Sequence, residues 1–204
     1  HTVCPKCGSY KGKEFMDTLK KIAPKKLAWL RLERNDGKNT GLHGEHISIV
    51  IDINTLQVIG FTRMEKHLSG EVSISHQAAL GQAVSFLKIF APDLMPENTV
   101  IPELNHKNPE EKLEFNNKLN LGNTELQWIN HHTEEIISNQ QKIIIDGMKV
   151  KMYIPKTKLW AWVVIDKSGN ILTFERDIFW NFDQFKRETQ MWLHDKWLEV
   201  HNIK

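Results

Sequence analysis

The sequence has little cysteine, almost no excess of charge and no long apolar run. Two cysteines supply only half of the four ligands that a structural zinc site needs. The formal net charge of +2 does not indicate nucleic-acid binding, since phosphate contacts need clustered lysine and arginine. No run approaches the roughly 18 apolar residues of a membrane span, and the start of the chain lacks the apolar core of a secretory signal. We therefore expect no membrane span and no nucleic-acid partner.

Motifs of the common enzyme classes are also absent from the sequence. It contains no Gly-x-Ser-x-Gly elbow, no phosphate-binding loop and no dinucleotide fingerprint. The paired acids Glu110 with Glu111 and Glu134 with Glu135 lie in polar stretches, which is typical of solvated edges rather than of a catalytic acid and base. We therefore predict that the protein is not an enzyme.

A hairpin pattern occurs twice. The stretches "VIDINTLQVIGFTR" at 50–63 and "VVIDKSGNILTFER" at 163–176 each place an apolar run before an aspartate and a polar turn. Aliphatic residues then lead to phenylalanine, one further residue and arginine. Each stretch favours two antiparallel strands joined by a short turn. A length of 204 residues suits two small domains of about 100 residues each.

A helical pattern follows each repeat. After the first, Ser73 or Ser75 can cap a helix over residues 76–90, whose apolar positions share one face. After the second, Asn181 with Gln184 three residues later resembles a capping box. A stripe of side chains behind this box predicts a helix that closes the chain: Phe185, Thr189, Trp192, Lys196 and Val200.

These patterns predict an α+β fold of two related units, each an antiparallel sheet with a helix packed on one face. The units cover residues 27–95 and 124–204. Residues 1–26 are predicted to be a basic segment with a short amphipathic helix over 11–22. The stretch 96–123, rich in proline and asparagine, is predicted to be a linker with one helical turn near its "PEEKLEF" sequence.

The order of strand, polar turn, strand and helix resembles the PepSY modules of thermolysin-type protease propeptides and bacterial envelope proteins. The first unit is the more similar, with "ISIVIDINTLQVIGFTRM" followed by "SISHQAALGQAVSFL". The second has "FWNFDQFKRETQMWLHDKWL", which is aromatic and charged where the family helix is rich in alanine. The resemblance implies a non-catalytic bacterial module, a peptidase inhibitor or folding aid, in a lipoprotein or secreted protein of the cell envelope.

The sharpest local motif is "CPKCG" at residues 4–8. Cys4 and Cys7 have the spacing of two ligands of a tetrahedral zinc ion, and Gly8 permits the tight turn of a zinc knuckle. His1 or a distant histidine would have to complete the site. Dithiol oxidoreductases share this spacing, but their motif follows a strand and opens a helix, whereas Gly8 and Gly12 follow this one. Zinc, redox activity and an unbonded or disulfide-linked pair all remain open.

Ten histidines raise the question of a further metal site. His131 and His132 are adjacent, so on a strand they would point to opposite faces of the sheet. His43 and His46 lie on a loop bracketed by glycines, without the i, i+4 helical spacing of a metallohydrolase. These histidines are therefore interpreted as structural or surface residues.

Tryptophan is the one residue type that exceeds what small cores need. Five of the seven tryptophans fall between positions 160 and 197. Core packing is one interpretation, and a surface that binds a protein or peptide partner is the other. We predict such a surface from five residues: Trp160, Trp162, Trp180, Trp192 and Trp197. The rival hypothesis is a small metal- or thiol-dependent enzyme that uses Cys4, Cys7 and clustered histidines.

Overall fold

The computed structural model contains twelve β-strands and two α-helices in its described part. For residues 9–10, 13–14 and 116–118 only the backbone is described. Cys4 and Cys7 lie outside the described residues, as does most of the helix predicted over 11–22, of which Lys13–Glu14 is a strand. The described ranges are 9–10, 13–14, 26–71, 74–104 and 110–203. The strands in chain order are β1 (Ser9–Tyr10), β2 (Lys13–Glu14), β3 (Leu27–Glu33), β4 (His46–Asp52), β5 (Val58–Met64), β6 (Leu113–Leu121), β7 (Thr124–Ser138), β8 (Gln141–Ile154), β9 (Leu159–Asp166), β10 (Ile171–Ile178), β11 (Trp180–Asn181) and β12 (Lys186–Arg187), and the helices are α1 (His76–Phe90) and α2 (Asp195–Val200).

Eight of these strands form one antiparallel sheet in the order β3-β4-β5-β10-β9-β8-β7-β6. Two meanders build it, β3 to β5 from the first half of the chain and β6 to β10 from the second. They join where β5 pairs with β10. The chain is thus mainly antiparallel β, and the prediction of an α+β fold with two sheet-and-helix units is wrong. Of this fold-class prediction, the antiparallel pairing of the strands is confirmed.

The two sequence repeats form neighbouring hairpins, β4–β5 and β9–β10. Across the junction Phe61 lies opposite Phe174, the same position in each repeat. A half-turn about an axis between these two residues relates one hairpin to the other. On one side of this pair Gly60 lies opposite Glu175, and on the other side Thr62 lies opposite Thr173. The half-turn carries the first of these two flanking pairs onto the second.

The helix predicted over residues 76–90 is confirmed as α1. The Ser75 side chain accepts a hydrogen bond from the backbone N–H of Ala78, which caps the first turn. Buried Leu80, Val84 and Leu87 pack on β7 to β10, with Phe174 in the same core. A helix from the first half of the chain therefore covers strands from the second half.

The long closing helix predicted from Asn181 is not present. The Asn181 side chain accepts hydrogen bonds from the backbone N–H groups of Asp183 and Gln184, as a capping residue does. These bonds close the turn between β11 and β12 rather than the first turn of a helix. The helix α2 has only six residues, and it lies on the face opposite to α1, where Leu193 and Leu198 pack with Val50.

The stretch 96–123 contains the edge strand β6, which pairs with β7. The helical turn predicted around residues 109–115 is absent from the described positions there. Residues 110 and 111 form a bend, and β6 begins at Leu113. Strand pairing, which depends on a partner distant in sequence, has overridden the local helical pattern.

Candidate functional site

The face of the sheet opposite to α1 carries an alternating row of indole and ammonium groups. On β8, Lys149 and Lys151 point to this face because side chains alternate along a strand. Lys151 pairs in register with Trp128 on β7 and with Trp162 on β9. Trp160 lies two residues before Trp162 and therefore on the same face. We call these five residues the Trp–Lys surface.

Each of the two lysines lies over an indole ring. The Lys149 Nζ atom is 4.1 Å from the ring centroid of Trp162. The Lys151 Nζ atom is 4.4 Å from the ring centroid of Trp160 and 5.4 Å from that of Trp128. These distances fall within the range of cation–π attraction, about 6 Å. The rings thus hold both ammonium groups close to the sheet.

The electrostatics of the two lysines are unusual. Burial lowers the pKa of Lys149 to about 8, against the opposing effect of Glu175 and Glu134. Burial also lowers the pKa of Lys151, and the nearby Lys112 lowers it further. Within the described residues, neither ammonium group forms an ion pair with a carboxylate. The Trp–Lys surface therefore holds positive charge that its own neighbours balance only in part.

The hairpin β11–β12 stands beside this surface. Phe182 lies with its ring centroid 6.2 Å from that of Trp160 and is 61% exposed. Phe185, in the same turn, is 81% exposed. The Arg187 guanidinium lies 5.5 Å from the ring centroid of Trp162. The hairpin therefore extends the aromatic area beyond the sheet.

A buried ion network fixes the position of this hairpin. Arg187 donates two hydrogen bonds to the Glu175 carboxylate, at 2.6 and 3.1 Å. His194 lies 3.0 Å from the same carboxylate. Burial alone would raise the pKa of Glu175, but Arg187 and His194 bring it well below its usual range. Arg187 also donates to the carbonyl oxygens of Thr189 and Gln190, which ties the C-terminal segment to β10.

A cleft of about 590 Å³, lined by both charged and apolar side chains, lies elsewhere on this face. The tip of the β7–β8 hairpin forms one wall, and the backbone N–H of Ile137 donates to the carbonyl oxygen of His43 at 2.6 Å. The helix α2 forms another wall. His43 and Glu199 pair across the cleft at 3.2 Å, and Arg31 binds Asp195 at 2.7 Å.

The cleft does not have the arrangement of a metal centre. In the part of the chain that the structure describes, no three His, Cys, Asp or Glu side chains are placed to share a metal ion. His46 is buried, with its Nδ1 atom 2.9 Å from the carbonyl oxygen of Gly44. Burial lowers the pKa of His46, against the opposing charge of Asp195. His131 and His132 lie on β7 opposite Met148 and Gly147, on different faces of the sheet.

The structure separates the five tryptophans selected from the sequence. Trp160 and Trp162 belong to the Trp–Lys surface. Trp180 is 38% exposed on β11, and Trp192 is only 4% exposed. Trp192 packs against Trp197 of α2, with ring centroids 5.4 Å apart, in the core between α2 and the sheet. Two of the five therefore serve core packing.

Sequence reasoning missed three members of the Trp–Lys surface, Trp128, Lys149 and Lys151. The signal was present in "KVK" at 149–151 and "WAW" at 160–162, on two strands that follow one another in the chain. Each stretch places one residue type at positions i and i+2. Alternation on paired strands brings such residues to one face. Trp128 has no comparable local signal, because only the register of β7 against β8 brings it there.

No helix in the described ranges is both long enough and apolar enough to cross a membrane. The resemblance to PepSY modules and the localisation it implies stay predictions. Comparison of the chain with models of protein families, with curated proteins and with solved structures finds no match.

Proposed function

We propose that this chain is a non-enzymatic module that binds a protein or peptide partner on the Trp–Lys surface. The observation that carries the proposal is the alternation of half-buried indole and ammonium groups on one sheet face. Tryptophan and other aromatic residues are enriched at protein interfaces and account for much of their binding energy. The exposed rings of Phe182 and Phe185 lie beside this surface and enlarge the area available to a partner.

The test compares partner capture by the wild-type chain and three variants. Phe182→Ala and Trp160→Ala remove aromatic contacts, and we expect each to weaken capture about tenfold or more, the usual effect of losing an interface anchor. Ile89→Ala is the matched control, since Ile89 is exposed on α1 and distant from the Trp–Lys surface. Phe182 is itself exposed, so its loss should leave the unfolding temperature unchanged. Equal capture by all four proteins would contradict the proposal.

The PepSY resemblance supports a more specific role. The family pattern in "ISIVIDINTLQVIGFTRM" favours a bacterial envelope or secreted protein that inhibits a peptidase or assists its folding. The two roles are separated by adding the chain to a thermolysin-type peptidase at two stages. A folding aid should increase the peptidase activity recovered when it is present during refolding. An inhibitor should lower the activity of the peptidase when it is added after refolding. No effect in either assay would remove the peptidase as a partner.

The spacing of Cys4 and Cys7 keeps one rival function, a small metal- or thiol-dependent enzyme. Replacement of both cysteines by serine should abolish turnover if the rival is correct and leave partner capture unchanged if it is not. Elemental analysis of protein prepared without chelator provides a second measure. Metal far below one equivalent, with two freely titrating thiols, would argue against a zinc site.

A further inference from the structure

We infer that the partner binds the Trp–Lys surface through carboxylate groups carried at alternate positions of an extended peptide segment. The inference rests on the proposed function and adds the chemical class of the ligand. It follows from the spacing of Lys149 and Lys151, from their only partly balanced charge and from the position of their ammonium groups over the indole rings.

The spacing of the lysines matches that of an extended peptide. Lys149 and Lys151 are two residues apart on β8, so their Cα atoms are about 6.8 Å apart. Side chains at i and i+2 of any extended chain have the same separation and point the same way. Two acidic side chains separated by one residue can therefore reach both ammonium groups at once.

The charge of the surface favours an anion at Lys151. Lys151 and Lys112 both approach the Trp128 ring, with Nζ atoms 5.4 and 5.3 Å from its centroid. Lys112 has Glu114 as an ion-pair partner, whereas Lys151 has none among the described residues. A ligand carboxylate beside Lys151 would offset both its desolvation and its repulsion by Lys112.

The same geometry disfavours a nucleic acid. Single-stranded nucleic acid stacks its bases on open aromatic faces. Here the ammonium groups of Lys149 and Lys151 lie over the rings of Trp128, Trp160 and Trp162. The rings therefore position the cations instead of offering a stacking platform.

The test uses a synthetic peptide of alternating threonine and glutamate and a second peptide with glutamine in place of glutamate. Titration calorimetry should show binding of the glutamate peptide, and binding of the glutamine peptide at least about tenfold weaker, since each charge-assisted hydrogen bond contributes that much or more. Lys151→Met and Lys149→Met should each weaken the glutamate peptide by a similar factor. Lys38→Met, in an exposed loop between β3 and β4, is the control and should have no effect.

Proton uptake gives an independent readout. The charged groups around Lys149 are Glu175, Glu134, Lys151 and Arg187, and a bound carboxylate would add one more negative charge. Binding should then raise the pKa of Lys149 from about 8, so that complex formation takes up protons just above that pH. Calorimetry in buffers of different ionisation enthalpy measures this uptake, and Lys149→Met should remove most of it.

The outcomes separate this inference from the proposed function. Equal affinity for the two peptides, no heat with either, or no proton uptake would overturn the carboxylate inference even if Trp160→Ala still loses the captured partner. If Phe182→Ala and Trp160→Ala both retain the partner, the proposed function itself fails. A short oligothymidylate is the probe for nucleic-acid binding. If it binds more tightly than the glutamate peptide, and if Lys151→Met abolishes that binding, nucleic-acid binding replaces the inference.

Discussion

At the scale of single residues, Lys149 makes stability depend on pH in the alkaline range. Its pKa is about 8 in the folded chain and about 10.4 in an unfolded one. Between these values the unfolded state binds the proton and the folded state does not, so the free energy of unfolding rises with pH. The size of this rise is about 3 kcal/mol.

The variant Lys149→Met should remove that rise and should be more stable than wild type near neutral pH. Urea unfolding at a series of pH values from neutral to about 10 measures both effects. Lys38→Met is the control and should keep the wild-type dependence. An identical alkaline profile in Lys149→Met would show that Lys149 is not the titrating group.

Glu175 acts in the acid range and makes stability depend on pH with the same sign, since its folded pKa also lies below its unfolded one. Its folded pKa is lowered by Arg187 and His194, so the stability it contributes is present above the unfolded pKa and is lost as the pH falls below it. Glu175→Gln leaves the Arg187 charge buried and should cost about 3 kcal/mol at neutral pH. It should also flatten the acid limb of the stability profile.

The comparison for Glu175→Gln is Glu97→Gln, an exposed residue beyond α1. This control should change the free energy of unfolding by less than about 0.5 kcal/mol. A loss in Glu175→Gln no larger than in the control would mean that the ion network with Arg187 and His194 does not stabilise the fold.

At the scale of secondary-structure elements, α1 depends on one cap. The Ser75 Oγ atom lies 3.2 Å from the backbone nitrogen of Ala78. Ser75→Ala should lower the free energy of unfolding by about 1 kcal/mol, because a backbone donor loses its acceptor. Ser85→Ala is the matched control, since Ser85 is exposed within α1 and donates to the carbonyl oxygen of Gly81. Urea unfolding of both variants would show equal losses if the cap were unimportant.

Elements with local determinants could be predicted from the sequence, and elements with distant ones could not. The cap and the apolar stripe of α1 lie within one short stretch of sequence, and the helix predicted over residues 76–90 is confirmed. The cap at Asn181 forms its expected hydrogen bonds, but the register of β11 against β12 decides what those bonds close. Likewise β8 continues without a break through Gly147, where a Cβ would lie 2.5 Å from the Val164 side chain of the neighbouring strand β9.

The candidate site shows the same limit. Trp160 and Trp162 were selected from composition, and they lie together on one face. The alternation in "KVK" places Lys149 and Lys151 on one face of a strand, but it does not show that rings from β9 lie beneath their ammonium groups. Trp192 and Trp197 were selected for the same compositional reason, yet Trp192 is buried between α2 and the sheet, and Trp197 of α2 packs against it.

At the scale of the whole molecule, the two halves share one sheet and one main core. The pairing of Phe61 with Phe174 joins them, and a repeat in sequence does not reveal that its two copies pair with each other. Leu80, Val84 and Leu87 of α1 are buried against strands of the other half. Neither half therefore has a complete core of its own.

We expect the chain to unfold in a single transition, with calorimetric and van't Hoff enthalpies that agree. Separately produced segments 1–104 and 105–204 should each lack cooperative unfolding, because separation exposes the core beneath α1. A mixture of the two should regain the near-ultraviolet circular dichroism of the intact chain. Two resolved transitions, or a cooperative melt of either segment alone, would contradict this expectation.

The placement of α1 also has a consequence during translation. The strands that α1 covers end at Ile178, whereas the helix itself is complete at Phe90. A ribosome adds about 5 to 20 residues each second, so the nascent helix waits on the order of ten seconds for its sheet. During that interval Leu80, Val84 and Leu87 lack the complete set of strands they pack on, and the growing polypeptide presents an incompletely covered apolar helix to chaperones and to neighbouring nascent chains.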